Sequence, residues 1–368
     1  MKNPYRIVVI PGDGIGPEVM DVTLRVLEAV ATPDLVFDFA EYPTGSAHFA
    51  RTGEVLSDAL IEDCRASDAI LLAAIGLPEV RRAEGTEVQP EIVVGLRMKL
   101  DLYAAIRPIK LYPGVASTLK TTEPGIDFVI LRENTEGLFA SFGGGARVGD
   151  QVSADNMIIT RKGTERISEF AFRLAARRKG RPTDGRSRVT CVDKANVFRS
   201  LAFFRKVFEE VAARHPQIES ESIHVDAMCM YMLQRPWDFD VLVMENMFGD
   251  ILSDLGAALV GGLGLGPSAE IGDGIAMFQP SHGSAPTIAG QDLANPLATV
   301  LSAAMMLDWL GHANGDSAAT QAAARIEMAV QTLLREGKTL TPDLGGKAGT
   351  RSVGAALIDS LAICNATV

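Results

Sequence analysis

Most features that would settle the class of this chain outright are absent. Among 368 residues there are only four cysteines, Cys64, Cys191, Cys229 and Cys364, and no C-x-x-C spacing. Neither a thiolate zinc site nor a disulfide framework is indicated. No run of about 18 uninterrupted apolar residues occurs, so no membrane span is expected. The start, "MKNPYRIVVI", passes directly into a strand pattern without the regions of a secretory leader, and a cytoplasmic location is the expectation. Basic residues are outnumbered, 35 Lys and Arg against 46 Asp and Glu, for a formal net charge of -11. That balance argues against a nucleic-acid partner. Internal repeats and low-complexity tracts are missing as well.

What is present reads as an α/β enzyme of two domains or one large unit. Strand-like runs ("RIVVI", "AILLAAIG", "DFVILREN", "RVTCVDK", "DVLVMEN") alternate with helical periods such as "VMDVTLRVLEAV" and "GTERISEFAFRLAARR". The alternation indicates a largely buried sheet. Thr160 and Thr164 are candidate caps for the second helix. "GARVGDQVSADNMIIT" alternates without helical period and suits a projecting hairpin, while "LATVLSAAMMLDWLG" suits a buried helix. The long Gly-, Ser- and Pro-rich stretch before it is of the kind that usually carries function.

The opening turn, "PGDGIGPE", tests for a dinucleotide fingerprint. Gly12 and Gly14 fit the first two positions of G-x-G-x-x-G, but the third falls on Pro17, and Gly16 comes one residue early. Asp38 and Glu41 lie where a ribose-binding acid would be sought. Pro17 suits the first residue of a helix, where its missing N–H would be unpaired anyway. A plain tight turn is the better reading.

Three constellations carry chemistry. Arg97, Arg107 and Arg132 gather in a short region of an acidic chain, and planar guanidinium forks could hold a di- or tricarboxylate. Taken singly, each would pass for a surface arginine. Asp250 and Asp254, four apart on a predicted helix, put two like charges on one face in an apolar, buried-looking context. With Asp226 they could assemble an oxygen-rich site for Mg²⁺ or Mn²⁺. Lys194, just after a strand, could act as a base, although a lone lysine there is more often solvated.

Together, "PGDGIGPE", "LDLYAAIRP", "LRENTEGL", "DKANV", "FDVLVMENMFGDILSDL" and "HGSAPTIAGQDLANP" resemble, in order and spacing, the β-decarboxylating dehydrogenases, which include isopropylmalate, isocitrate, homoisocitrate and tartrate dehydrogenases. The likeness runs from about residue 6 to about residue 350. It implies an isopropylmalate dehydrogenase-like α/β fold of two domains on a shared mixed sheet, not a true Rossmann fold. Residues 1–102 plus 261–368 would form the cofactor-binding domain. Residues 103–260 would form the substrate and dimerisation domain, with a clasp near 140–160.

By the same resemblance, Arg97, Arg107 and Arg132 match substrate-binding arginines, and Asp226, Asp250 and Asp254 match metal ligands. Lys194 and Asp226 match catalytic residues that reach into the site of a partner subunit, implying a homodimer, with a tetramer left open. NAD would lie along the N-terminal turn, touching Ile15. Its adenosine and phosphates would meet His282, Gly283, Ser284, Ala285, Thr287, Ile288 and Asn295. The implied reaction is oxidation of a 2-hydroxy diacid, with or without loss of CO₂.

The chain departs from that pattern in two places. The usual reprotonating tyrosine is Phe139, which has no proton to give. Either oxidation proceeds without decarboxylation, or another group or water supplies the proton, or the chain is a weakened regulatory paralogue. The last is disfavoured because the arginines, aspartates and lysine all remain. At Thr287, relatives carry aspartate for NAD or lysine for NADP. Threonine does neither firmly, and Ile288 points to NAD with loose discrimination. Val93 and Val94, before Arg97, favour an apolar or small substituent, and Glu91 is one residue off the acid of isopropylmalate enzymes, while the ENTEG form leans to the tartrate and isocitrate branches. An alkylmalate, malate or tartrate is therefore placed ahead of isopropylmalate itself, and isocitrate last.

Overall fold

The computed structural model describes residues 3–365, with side chains to residue 362, so the Cys364 side chain lies outside the described residues. In chain order the described strands are β1 (Tyr5–Gly12), β2 (Phe37–Glu41), β3 (Ala69–Ala74), β4 (Ala104–Lys110), β5 (Asp127–Glu133) and β6 (Ala146–Val148). They continue with β7 (Val152–Ala154), β8 (Arg188–Asp193), β9 (Glu219–His224), β10 (Val241–Met244), β11 (Pro267–Ile271) and β12 (Ala276–Pro280). The five quoted apolar runs become β1, β3, β5, β8 and β10.

Two compact units divide the chain: Met1–Leu100 with Tyr112–Ala116 and Gly261–Val368, and Asp101–Leu111 with Ser117–Val260. In the first, strands run in the order β2-β1-β3-β12-β11, all parallel except the antiparallel pair β11–β12. Every residue of β3 is buried, which is why "AILLAA" shows no alternation: both of its faces are covered. The helix Leu297–Asn314, buried along most of its length, is the expected apolar one.

In the second unit the order is β4-β5-β10-β8-β9, with only the β4–β5 pair antiparallel. Phe128, Ile130, Val192, Met228, Phe239, Leu242 and Leu252 are among the residues of its core. The expected hairpin is the antiparallel pair β6–β7, exposed at every residue. Helix Arg161–Ala175 is capped by Thr160, whose side chain accepts from Gly163 N. Thr164 is not a cap: it lies buried inside the first turn, its hydroxyl donating to Thr160 O.

The glycine-rich turn proves to be packing for the protein's own backbone. Gly12 and Gly14 have positive φ, and a Cβ on Gly14 would stand 2.0 Å from Ser284 O. Ile15 N donates to that same carbonyl at 2.8 Å. Asp13 accepts from Ser46 N, Ala47 N and Gly76 N, capping the helix Ser46–Thr52 and tying down the strand end after β3. Asp38 is engaged by Arg6 at 2.9 Å. Pro17 is the second residue of helix Gly16–Val30, not the first. Backbone carbonyls crowd both glycines, Ala74 O at Gly12 and Ser284 O at Gly14.

Candidate active site

In the second unit, Glu245 begins the site. Its buried carboxylate accepts from Met247 N and Phe248 N, capping helix Asn246–Leu259, and burial pushes its pKa up. The helix then presents Asn246, Asp250 and Asp254 at four-residue intervals on one face. Leu252, Ser253, Gly256 and Ala257 turn inward, so Asp250 and Asp254 keep 46% and 61% of their side chains exposed. The buried context expected for these two acids is therefore wrong. Their apolar neighbours occupy the other side of the helix, and the carboxylates stand open to a ligand.

Against this face lies Arg132, at the end of β5 and 1% exposed. It donates to Asn246 Oδ1 from Nε at 2.9 Å and from Nη2 at 2.6 Å, and from Nη1 to Asp250 Oδ1. Its guanidinium carbon lies 5.0 Å from the centre of the Phe139 ring. Arg107, buried on β4, donates to Ser253 Oγ at 2.7 Å and approaches Asp250 at 3.7 Å and Asp254 at 4.0 Å. Although most of the Asp254 side chain is exposed, partial desolvation raises its pKa and the neighbouring Asp250 adds to it, while Arg107 and Arg132 oppose the shift. Two carboxylates facing two buried guanidinium groups can share one anionic ligand and one cation. The donor set is hard oxygen, which suits Mg²⁺ or Mn²⁺.

Lys194 and Asp226 form a separate pair. Asp193, wholly buried at the end of β8, holds Ala195 N and both nitrogens of the Arg205 fork, which fixes the turn carrying Lys194. Lys194 Nζ donates to Asp226 Oδ1 at 2.5 Å, and that bond holds the Asp226 carboxyl below its usual range. Among the described residues of this one chain, no three acidic, histidine or cysteine groups gather around a common point. The expected trio of aspartates is thus not assembled within a single chain.

In the first unit, Val93, Val94 and Arg97 share a buried stretch of helix Gln89–Lys99, and Glu91 is paired with Arg82. Arg97 is engaged side-on by Glu270 of β11. On the later loop, His282 Nδ1 meets Gly283 O at 2.9 Å, and its buried Nε2 has no partner among the described residues. Burial pushes the imidazole below its usual range. Such an orphaned ring nitrogen fits a nucleotide partner. Gly283 faces open space, Ala285 has φ 38, and the turn Pro286–Ile288 leaves Thr287 exposed. Ser284 Oγ donates to Gly76 O. Asn295 is committed within the fold, donating to Asp343 and accepting from Leu297 N. Ile15 is 5% exposed.

The family model for isocitrate/isopropylmalate dehydrogenase matches residues 6–357. The chain belongs to the isocitrate/isopropylmalate dehydrogenase family. Within that family it is 45% identical over 347 residues to a 3-isopropylmalate/3-methylmalate dehydrogenase of Methanocaldococcus jannaschii, covering 94% of this chain and 96% of the relative. It is 43% identical over 346 residues to a 3-isopropylmalate dehydrogenase of Archaeoglobus fulgidus, with the same coverage. An isocitrate dehydrogenase structure from Methylococcus capsulatus superposes with a TM-score of 0.84 at 36% identity, covering 97% of this chain and 99% of the other. The protein is an oxidoreductase of this family, with NAD and Mg²⁺ or Mn²⁺ as its cofactors. No helix among the described residues is long and apolar enough to cross a membrane.

Sequence reading missed Asn246, Ser253 and Glu270. Asn246 had a usable signal, since it begins the four-residue series that ends at Asp254. The others are contacts made by folding, with no local mark.

Proposed function

We propose that the protein oxidises a 3-alkyl-substituted malate, 3-isopropylmalate foremost, with NAD and a divalent cation. The observation that carries this is the helix Gln89–Lys99. Val93 and Val94 stand one turn before Arg97, so an apolar wall adjoins a carboxylate anchor. Glu91, already held by Arg82, offers no polar partner for a third carboxylate. The names of the similar enzymes favour isopropylmalate and methylmalate over the malate and tartrate that the sequence reading ranked with the alkylmalates.

In this reading Asp250 and Asp254 hold the cation, with Asp226 from a second copy completing the set. When bound, the cation polarises the substrate oxygens and NAD accepts the hydride. Arg97, Arg107 and Arg132 orient the carboxylates. Lys194 takes up the hydroxyl proton at Nζ, directly or through one water. Phe139 supports the Arg132 guanidinium with its ring face and supplies no proton, so the final proton comes from water. The shared site is supported by exposed apolar side chains near these residues, Met230 and Leu233 on helix Val225–Gln234 and Ile251 on helix Asn246–Leu259.

The test is NADH formation with Mn²⁺ across 3-isopropylmalate, 3-methylmalate, malate, tartrate and isocitrate. The highest kcat/KM is expected for an alkylmalate. Isocitrate or tartrate in first place would overturn the assignment.

A further inference from the structure

Arg97 of the first unit is buried against two side chains from neighbouring strands. Glu270 on β11 is fully buried, and Gln279 on β12 and Arg97 itself are each less than 8% exposed. Glu270 pairs across the ladder with Met277, so Gln279, two residues on, projects from the same face of the sheet. The carboxylate of Glu270 accepts from Arg97 Nε at 2.9 and 3.0 Å and from Nη2 at 2.6 Å. Gln279 Nε2 donates to the same oxygen, Oε1, at 2.5 Å.

A guanidinium has five N–H donors in a rigid plane. Glu270 uses Nε–H and one hydrogen of Nη2, which is the side-on edge. The end-on edge, Nη1 with the second Nη2 hydrogen, makes no hydrogen bond among the described residues. That edge has the spacing to grip a carboxylate with two parallel bonds. The bonds to Glu270 hold the plane of the fork and with it the direction of that edge. Gln279 in turn fixes the rotamer of Glu270, and as a neutral amide it does so without adding a second negative charge beside it.

We propose that Glu270 and Gln279 are positioning residues that fix the guanidinium of Arg97 so that its end-on edge receives a carboxylate of the hydroxy diacid. This rests on the reading of Arg97 as a substrate ligand. The carboxylate on β11 therefore contributes to substrate recognition without touching substrate. A residue that only held the strands together would alter stability and leave the balance of KM values intact.

The experiment compares Glu270→Gln, Gln279→Leu and Arg97→Met in the full-length protein, with KM for 3-isopropylmalate, KM for NAD, kcat and Tm measured for each. For Glu270→Gln, KM for the diacid should rise about tenfold or more while KM for NAD stays within about twofold, as expected when a binding group is misplaced. Gln279→Leu keeps the Arg97–Glu270 pair and should raise KM for the diacid by about threefold. The double variant Glu270→Gln/Gln279→Glu moves the carboxylate to the adjacent strand and should recover much of the lost substrate affinity. Unchanged diacid KM in Glu270→Gln, with Arg97→Met still losing substrate, would overturn the positioning role alone. Unchanged diacid KM in Arg97→Met would overturn the reading on which it rests. Should Glu270→Gln not fold, Gln279→Leu decides: an unchanged diacid KM there sinks the proposal.

Discussion

Arg132 lies so close to Gly249 that a Cβ on the glycine would stand 2.5 Å from the Cβ of the arginine and 2.6 Å from its Cγ. These are the root atoms of a buried side chain, which cannot swing aside. Gly249→Ala should therefore displace Arg132 from Asn246 and Asp250, at a cost of about 1–3 kcal/mol in stability. Catalytic efficiency should fall by about a hundredfold, the scale expected of a displaced substrate clamp. Steady-state kinetics and thermal melts on the one variant would check both. Unaltered kcat/KM would mean that Arg132 does not work from this position.

Restoring a hydroxyl at residue 139 should separate the two halves of the reaction. In Phe139→Tyr the ring can still cover Arg132, and a proton donor is added. Following NADH and the decarboxylated keto acid separately should show product formation catching up with NADH release. A variant in which the two time courses stay as they are in the parent would remove reprotonation as the affected step.

Cofactor choice should respond at Thr287. The residue is exposed on its turn, so a substitution there need not disturb packing. Thr287→Asp should lower kcat/KM with NADP by about tenfold and leave NAD nearly unaffected, since a carboxylate accepts from ribose hydroxyls and repels a 2′-phosphate. Thr287→Lys should shift preference the other way. The ratio of kcat/KM for the two nucleotides is the measurement.

Glu133 predicts a pH dependence of stability. Burial lifts its pKa from the ordinary 4.5 to about 7, against hydrogen bonds from Thr135 and Glu136 that favour the charged form. A raised folded-state value means that the folded protein binds the proton more tightly than the unfolded chain. The associated stability is fully present below about pH 4.5 and is lost as pH rises through about 7, a contribution on the order of 3 kcal/mol. Chemical denaturation between pH 5 and 8 should show this loss, and Glu133→Gln should flatten it. An identical slope in both proteins would count against the protonated carboxyl.

The elements of this fold were readable because each buried strand is a short apolar run. "RIVVI" and "AILLAAIG" needed no partner to be identified as β1 and β3. Thr160 likewise marked its helix correctly, because capping is decided within one turn. Asp250 and Asp254 were picked out by their spacing, yet their exposure was misjudged, since local composition does not say which side of a helix meets the core. Glu270 lay beyond sequence reasoning altogether. It reads as one acid in a strand, and only the antiparallel return of β12 and the approach of helix Gln89–Lys99 make it a partner of Arg97.

The contact of Gly14 and Ile15 with Ser284 has a consequence for biosynthesis. The turn that ends the first strand is completed by a carbonyl that emerges from the ribosome only after most of the chain has been made. Until then Gly14 lacks the carbonyl it packs against, whereas Gly12 already meets Ala74 O. The turn that follows the first strand is thus among the last parts of the first unit that can mature, since contacts of such long sequence separation form slowly.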